Sequence, residues 1–290
     1  MDTLQLHDST NRAVVAERYG LLPSQTTHRI AILGHSGIHT GDKILEIGCG
    51  QGDCTTVLAL LYPNSHITAI DPAPLDYGAP ETLGQAHERI KSYDVGNNIS
   101  FYQASPVEYL QKVERGEYDV AVLCHCIWYF GSEVEVKRTL EALRRKVNRL
   151  CIAEWSLNSS TAGAQAHVLA ALTRATCETH IPDSDQNIRT LISPAAIKRL
   201  ATKVGWDLQS EKVFCPGKEL EDARWEIDML LQVDTTNGES QFLQRARRNV
   251  KEERIITVLE SMLESVKAAT SMANGKDCAR CMDVWVGTFA

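Results

Sequence analysis

The stretch Lys43–Asp53, KILEIGCGQGD, sets Gly48, Gly50 and Gly52 at alternate positions behind a short apolar run that carries Glu46. Glycines permit positive φ and let a ligand lie directly on the backbone. A strand that runs into such a turn and then into a helix leaves backbone N–H groups open at the helix N-terminus. The chemistry this implies is the holding of a nucleotide-like ligand. The dinucleotide fingerprint is Gly-x-Gly-x-x-Gly. Here the third glycine comes one place early, and the run reads Glu-x-Gly-x-Gly-x-Gly. A second group with chemical potential is CHCIWYF, Cys124–Phe130. It offers His125, whose imidazole titrates near working pH, as a general base, and Trp128 with Tyr129 as walls. The plainer reading makes His125 a hydrogen-bonded histidine at a strand end and the aromatics simple packing.

Strand and helix signals alternate around these groups. Strands are predicted at Asp42–Ile47, at SHITAID ending at Asp71, and at NISFYQ from Asn98. Two more follow, EYDVAVLCHC and RLCIAEW, the second ending at Trp155. Helices are predicted at Asp53–Leu61, around Gln85–Ile90, and over SEVEVKRTLEALRRKV. Such alternation implies a parallel sheet covered on both faces. Ligands bind at the carboxyl ends of the strands of such a sheet, where CHCIWYF emerges.

Two segments interrupt the scheme. The first, 157–192, holds the Ala-rich TAGAQAHVLAALTRATCE and the polar PDSDQN; the second, 216–279, holds a helix from about Glu219 and a longer one ending near Ala269. In the longer helix Ile255, Leu259, Met262 and Val266 recur at helical spacing, so one face is predicted to be buried. Between the interruptions, 193–215 reads as a helix capped by Ser193 with Pro194 at its first position, followed by the strand WDLQSEKVF. The closing stretch, 280–290, alternates Met282, Val284, Val286 and Thr288 and reads as an edge or hairpin strand.

Composition narrows the function classes. The 290 residues are 43% hydrophobic and 23% charged, an ordinary globular mixture. Thirty basic against 37 acidic residues leave a formal charge of -7, which argues against a polynucleotide partner. The basic cluster QRARRNVKEER, Gln244–Arg254, alternates with acids and reads as a solvated helix face. No apolar run approaches the ~18 residues of a membrane span, and MDTLQLHDST is polar rather than a signal peptide. With nine cysteines and no secretory signal, reduced thiols and a cytoplasmic location are expected. Cys278 and Cys281 have metal spacing but no companion pair, so two cysteines at the start of a strand are the better reading, and no metal is expected.

Glu46, the three glycines, and Asp71 closing the next strand together resemble the class I S-adenosylmethionine-dependent methyltransferases of the small-molecule type. The resemblance covers Tyr19–Trp206 in order of elements, against the alternative of a nicotinamide enzyme. It implies a Rossmann-like α/β fold, with a seven-stranded, mostly parallel sheet, a terminal antiparallel hairpin and helical lid insertions. In that scheme 1–40 is an N-terminal helical lid segment and 41–156 the cofactor-binding core. It implies S-adenosylmethionine as cofactor, packed on Gly48, Cys49, Gly50 and Gly52, with Glu46 meeting its amino group and Asp71 its ribose. A carboxylate suits the ribose because it accepts from two neighbouring hydroxyls. The family commonly places an acid after the third strand for adenine; FYQASP offers Ala104 and Ser105 instead, so Ser105 is the candidate there. By position, Cys124 lies beneath the cofactor, and Tyr19 and His28 are candidate contacts beside it.

The remaining candidates are substrate contacts. Trp128, Trp155, His167 and Trp225 are carried in that role, and His125 with Tyr129 as catalytic. His167 stands beside the stripe Val168, Ala171, Leu172 and Ala175, which leaves a surface or helix-packing role open. Trp225 falls opposite the apolar face Leu220, Ala223, Ile227, Leu230 and Leu231, and needs either another helix or a ligand cavity as partner. The fourth strand ends without the carboxylate of magnesium-dependent catechol-type enzymes and without the Asn/Asp-Pro-Pro-Tyr/Phe of the amino-methylating ones. The expected activity is therefore metal-independent methyl transfer to oxygen or nitrogen of a small molecule. Two alternatives are an enzyme that uses bound S-adenosylmethionine for cyclisation or rearrangement without transfer, and a non-catalytic binding module.

Overall fold

The computed structural model describes residues 11–182 and 184–290; MDTLQLHDST and Asp183 of PDSDQN lie outside them. Seven strands form one sheet: β1 Lys43–Ile47, β2 His66–Asp71, β3 Ile99–Gln103, β4 Tyr118–Cys124, β5 Val147–Trp155, β6 Leu208–Phe214 and β7 Val284–Phe289. Their order across the sheet is β3-β2-β1-β4-β5-β7-β6. Strands β1 to β5 pair in parallel, while β7 runs antiparallel between β5 and β6. The chain leaves β1 towards β2 on one side and returns to β4 on the other. The carboxyl ends of β1 and β4 therefore border a crevice, the ligand position of open α/β sheets.

The strands need little explanation beyond their apolar content. Residues 44–47, 67–70 and 120–124 are buried on both faces because helices cover both sides. The helices are α1 Arg12–Arg18, α2 Pro23–Leu33, α3 Asp53–Leu61, α4 Leu83–Lys91, α5 Pro106–Lys112 and α6 Glu133–Arg144. After β5 come α7 Gln165–Glu178 and α8 Pro194–Lys203, and after β6 come α9 Asp222–Leu231, α10 Gln241–Asn249 and α11 Glu253–Met272. Helix α8 begins as expected, with Pro194 in its first turn and Ser193 Oγ accepting from Ala196 N.

Several expectations need correction. The closing strand is not an edge: β7 is buried between two partners, and the edge on its side of the sheet is β6. The basic cluster Gln244–Arg254 is not one helix face, because α10 ends at Asn249 and Val250 turns inward before α11 starts. In α11 the buried positions are Leu259, Leu263, Val266 and Thr270, so Leu263 replaces Met262 on the inner face. Helix α7 has no single apolar stripe. It packs against both α9 and α11, which buries Thr173, Arg174 and Glu178 while leaving Leu172 partly exposed.

Candidate functional site

The glycine loop lies where β1 meets α3. Gly48 and Cys49 donate their amides to Ile70 O at 2.8 and 3.2 Å, which ties the turn to the end of β2. Gly50 N donates to Asp71 Oδ2 at 2.9 Å, and Ala73 N donates to Asp71 Oδ1 at 2.9 Å. Asp71 thus joins the loop to its own strand end. Two glycines do opposite work here. At Gly48, φ is +73° and a Cβ would stand 2.6 Å from Cys126 Cβ, so the backbone must pass close to the chain leaving β4. At Gly50, φ is +51° and a Cβ would meet nothing within 4 Å, so the loop has one bare face. His87 of α4 supports the other side: Nε2 lies 2.8 Å from Gly50 O and the ring stacks on Phe101 at 3.9 Å.

Charges of both signs lie near this loop. Glu46 is 1% exposed and Oε2 accepts from Thr55 Oγ1 at 2.5 Å; burial pushes its carboxyl up to about 7. Arg29 projects from α2, and its Nε and Nη1 are buried without a partner. Burial works against its charge, but Cys124, Cys54, Asp222 and Asp53 around it outweigh that and hold the guanidinium more firmly protonated than usual. Asp222, at the start of α9, accepts from Gln25 Nε2 at 2.6 Å. Cys124 lies 7% exposed at the end of β4, among these groups.

The imidazoles form a third cluster. The parallel register sets Cys124 beside Ala153, so His125 and Glu154 follow as neighbours at the ends of β4 and β5. His125 Nδ1 lies 3.2 Å from Glu154 Oε1, and its Nε2 lies 2.9 Å from His28 Nε2. Both ring nitrogens of His125 are therefore engaged by protein. Its φ of +52° is the left-handed region, rare for a residue with a Cβ and usually retained where a side chain has to be aimed. Trp155 stacks with His28 at 5.7 Å and lies tilted against His125 at 4.4 Å, with His167 edge-on at 5.0 Å. Burial lowers the pKa of His28, of His125, and of His167 (to about 3), so all three are neutral near pH 7. Burial also pushes Glu154 up to about 7, while Trp155 N and Ile127 N each donate to it at 3.0 Å.

Other expected residues are held by the fold. His167 is not at the surface: it is 1% exposed, and its Nδ1 accepts from Met282 N at 3.1 Å. Tyr19 is buried, with its hydroxyl donating to Asp94 at 2.9 Å. Ser105 accepts from Glu108 N as the cap of α5. Trp128 is buried and donates Nε1 to Ile192 O at 3.1 Å, whereas Tyr129 is 47% exposed. Trp225 is 38% exposed on the outer side of α9. Cys281 is buried against the start of α9 and Cys278 is exposed. A cavity of about 250 Å³ separates α2 from the connection between β6 and α9, lined by Thr27, His28, Ala31, Phe214, Pro216 and Leu220.

Residues 38–208 match the family described as a methyltransferase domain. The chain belongs to the class I S-adenosylmethionine-dependent methyltransferases. This methyltransferase is similar to "Methyltransferase phomM" of Diaporthe leptostromiformis, 29% identical over 83% of this chain and 71% of that protein. A "Malonyl-[acyl-carrier protein] O-methyltransferase" of Paenibacillus sp. (strain JDR-2) is 32% identical over a shorter stretch, 38% of this chain and 36% of that one. Among solved structures, a cyclopropane-fatty-acyl-phospholipid synthase-like protein from Lactobacillus casei ATCC 334 superposes with a TM-score of 0.77 at 29% identity, covering 92% of this chain and 91% of that one. S-adenosylmethionine is the methyltransferase's cofactor, and the nicotinamide and non-catalytic readings give way to enzymatic methyl transfer. No helix among the described residues is long and apolar enough to cross a membrane.

Arg29, His87 and Glu154 did not stand out in the sequence. Glu154 had a usable signal, a lone carboxylate within the apolar RLCIAEW, the same sign that marked Glu46. Arg29 and His87 sit in helices rich in polar residues, where nothing local sets them apart.

Proposed function

We propose that this methyltransferase transfers a methyl group to oxygen or nitrogen of a small organic molecule without a metal ion, and that the cofactor lies across the glycine loop. The observation that carries the placement is a pair of opposite charges near the glycine loop: buried Glu46, and half-buried Arg29, whose Nε and Nη1 are buried without a partner. The amino-acid end of S-adenosylmethionine is a zwitterion. An acid and a guanidinium held apart in a dry site are complementary to its ammonium and carboxylate.

In this reading Glu46 meets the amino group, Arg29 the carboxylate and Asp71 the ribose, while Gly48, Cys49, Gly50 and Cys124 form the floor. Bound there, the cofactor supplies a methyl group already activated on a sulfonium. The protein's remaining tasks are to exclude water, align the acceptor and take its proton. The segments 11–40, 157–192 and 216–279 act as a lid over the strand ends, with Trp155 as a wall of the acceptor site. The cavity of about 250 Å³ suits a small acceptor. Tyr129 and Trp225 are partly exposed near these segments and remain candidate contacts.

The direct test uses methyl-labelled S-adenosylmethionine with a panel of hydroxy, carboxylic and amino metabolites. The expected product is one methyl group heavier than its acceptor. Saturable cofactor binding with no label transferred to any member would overturn the reading.

A further inference from the structure

Glu154, His125 and His28 form a continuous line of hydrogen-bonding groups from the interior of the sheet to α2. The carboxylate at its inner end takes a backbone N–H on each oxygen, from Trp155 and from Ile127. In its ionised form, which the backbone donors favour, Glu154 can only accept, so His125 then carries its hydrogen on Nδ1. His125 Nε2 is then a bare acceptor, and the hydrogen shared across 2.9 Å must belong to His28 Nε2. That leaves His28 Nδ1 without a hydrogen. The nitrogen is buried and has no partner, although His28 is only 3% exposed and its ring lines the cavity beside Phe214. A buried acceptor left empty costs free energy unless something fills it.

Resting on the methyl-transfer reading above, we propose that His28 takes the acceptor's proton at Nδ1, and that His125 and Glu154 are positioning residues that hold it in the accepting tautomer. The acceptor gives up its O–H or N–H proton to His28 Nδ1 and uses the freed electron pair to bond the methyl carbon. The pair that previously joined that carbon to sulfur stays on sulfur. The Nε2 proton of His28 passes to His125 Nε2, and the Nδ1 proton of His125 passes to Glu154. One positive charge is lost at sulfur and one negative charge at Glu154, so the buried site keeps its net charge. The left-handed backbone at His125 fits this role, since it turns the ring between its two partners.

The test reads the imidazole tautomers by NMR at about pH 8.5, where Glu154 is ionised, in the full chain labelled at the histidine ring nitrogens, with and without S-adenosylhomocysteine. The expected result is His28 Nδ1 without hydrogen and His125 Nδ1 with one. Glu154→Gln should reverse both, because the amide donates to His125 Nδ1. On an acceptor found by label transfer, His28→Gln and Glu154→Gln should each lower kcat by about 100-fold or more. S-adenosylhomocysteine affinity should stay within about twofold. A hydrogen on His28 Nδ1 in the wild type, unaltered tautomers in Glu154→Gln, or an unchanged kcat in His28→Gln would each overturn the proposal. The tautomers are read without acceptor, so this failure and a failure of methyl transfer are separate observations, and a misfolded His28 variant does not obscure the first.

Discussion

At the scale of residues, the site is a set of ionisable groups whose states are fixed by burial and by one another. Glu46 shows this most simply. Its folded carboxyl lies at about 7 against an ordinary 4.5, because burial disfavours the charge. A raised folded value means that Glu46 contributes stability fully below about pH 4.5, and that this is lost as pH rises to about 7. The loss is at most about 3 kcal/mol. Glu46→Gln should flatten that part of the ligand-free stability curve, measured by denaturant unfolding at a series of pH values. It should also remove a rise in S-adenosylhomocysteine affinity between about pH 6 and pH 8, because an ammonium prefers the ionised acid. Arg29 makes a separate prediction. Arg29→Met should weaken S-adenosylhomocysteine by about 10- to 100-fold while leaving methylthioadenosine, which lacks the amino-acid end, bound as before. Calorimetry on both ligands checks this, and equal losses would place Arg29 elsewhere.

At the scale of elements, the turn between β1 and α3 separates folding from binding within three residues. Gly48→Ala would put a methyl group against Cys126 and force a positive φ, so a loss of about 2–4 kcal/mol in unfolding free energy is expected. Gly50→Ala carries the backbone strain alone, about 1 kcal/mol, since its methyl would enter open space. That variant should fold and yet lose cofactor affinity by at least about tenfold, because the methyl occupies the face on which the ligand lies. Thermal unfolding and cofactor titration together distinguish the two glycines. The strand ends matter in the same way: a shift of one residue in the β4–β5 register would separate His125 from Glu154 and leave their side chains on opposite faces.

At the scale of the whole molecule, the helices after β5 and β6 are joined by partly buried ion pairs as well as by apolar contact. Arg174 of α7 pairs with Glu226 of α9, and Arg245 of α10 lies 3.1 Å from Glu178 of α7. Arg174 is 4% exposed, so Glu226→Ala would leave a buried guanidinium unpaired and cost about 3–5 kcal/mol. Replacing both partners with leucine should cost much less than that single change. Scanning calorimetry on the two variants makes the comparison. The pair holds α9 where its first residue, Asp222, faces Gln25 and Arg29 of α2, so the cofactor face and the distal helices share one support.

The sequence by itself determined the alternation of strands and helices, the glycine turn, and the two carboxylates Glu46 and Asp71 at neighbouring strand ends. These rest on local periodicity and short spacing, which a chain cannot lose without losing the fold. Tertiary structure alone decided that β7 lies inside the sheet, that α7 is buried on nearly every side, and that His28, His125 and Glu154 form one line. Those outcomes join residues far apart in the chain, through strand register and helix docking. Hydrophobic burial drives that docking and is non-directional, so no short stretch of sequence records which partner a side chain will meet.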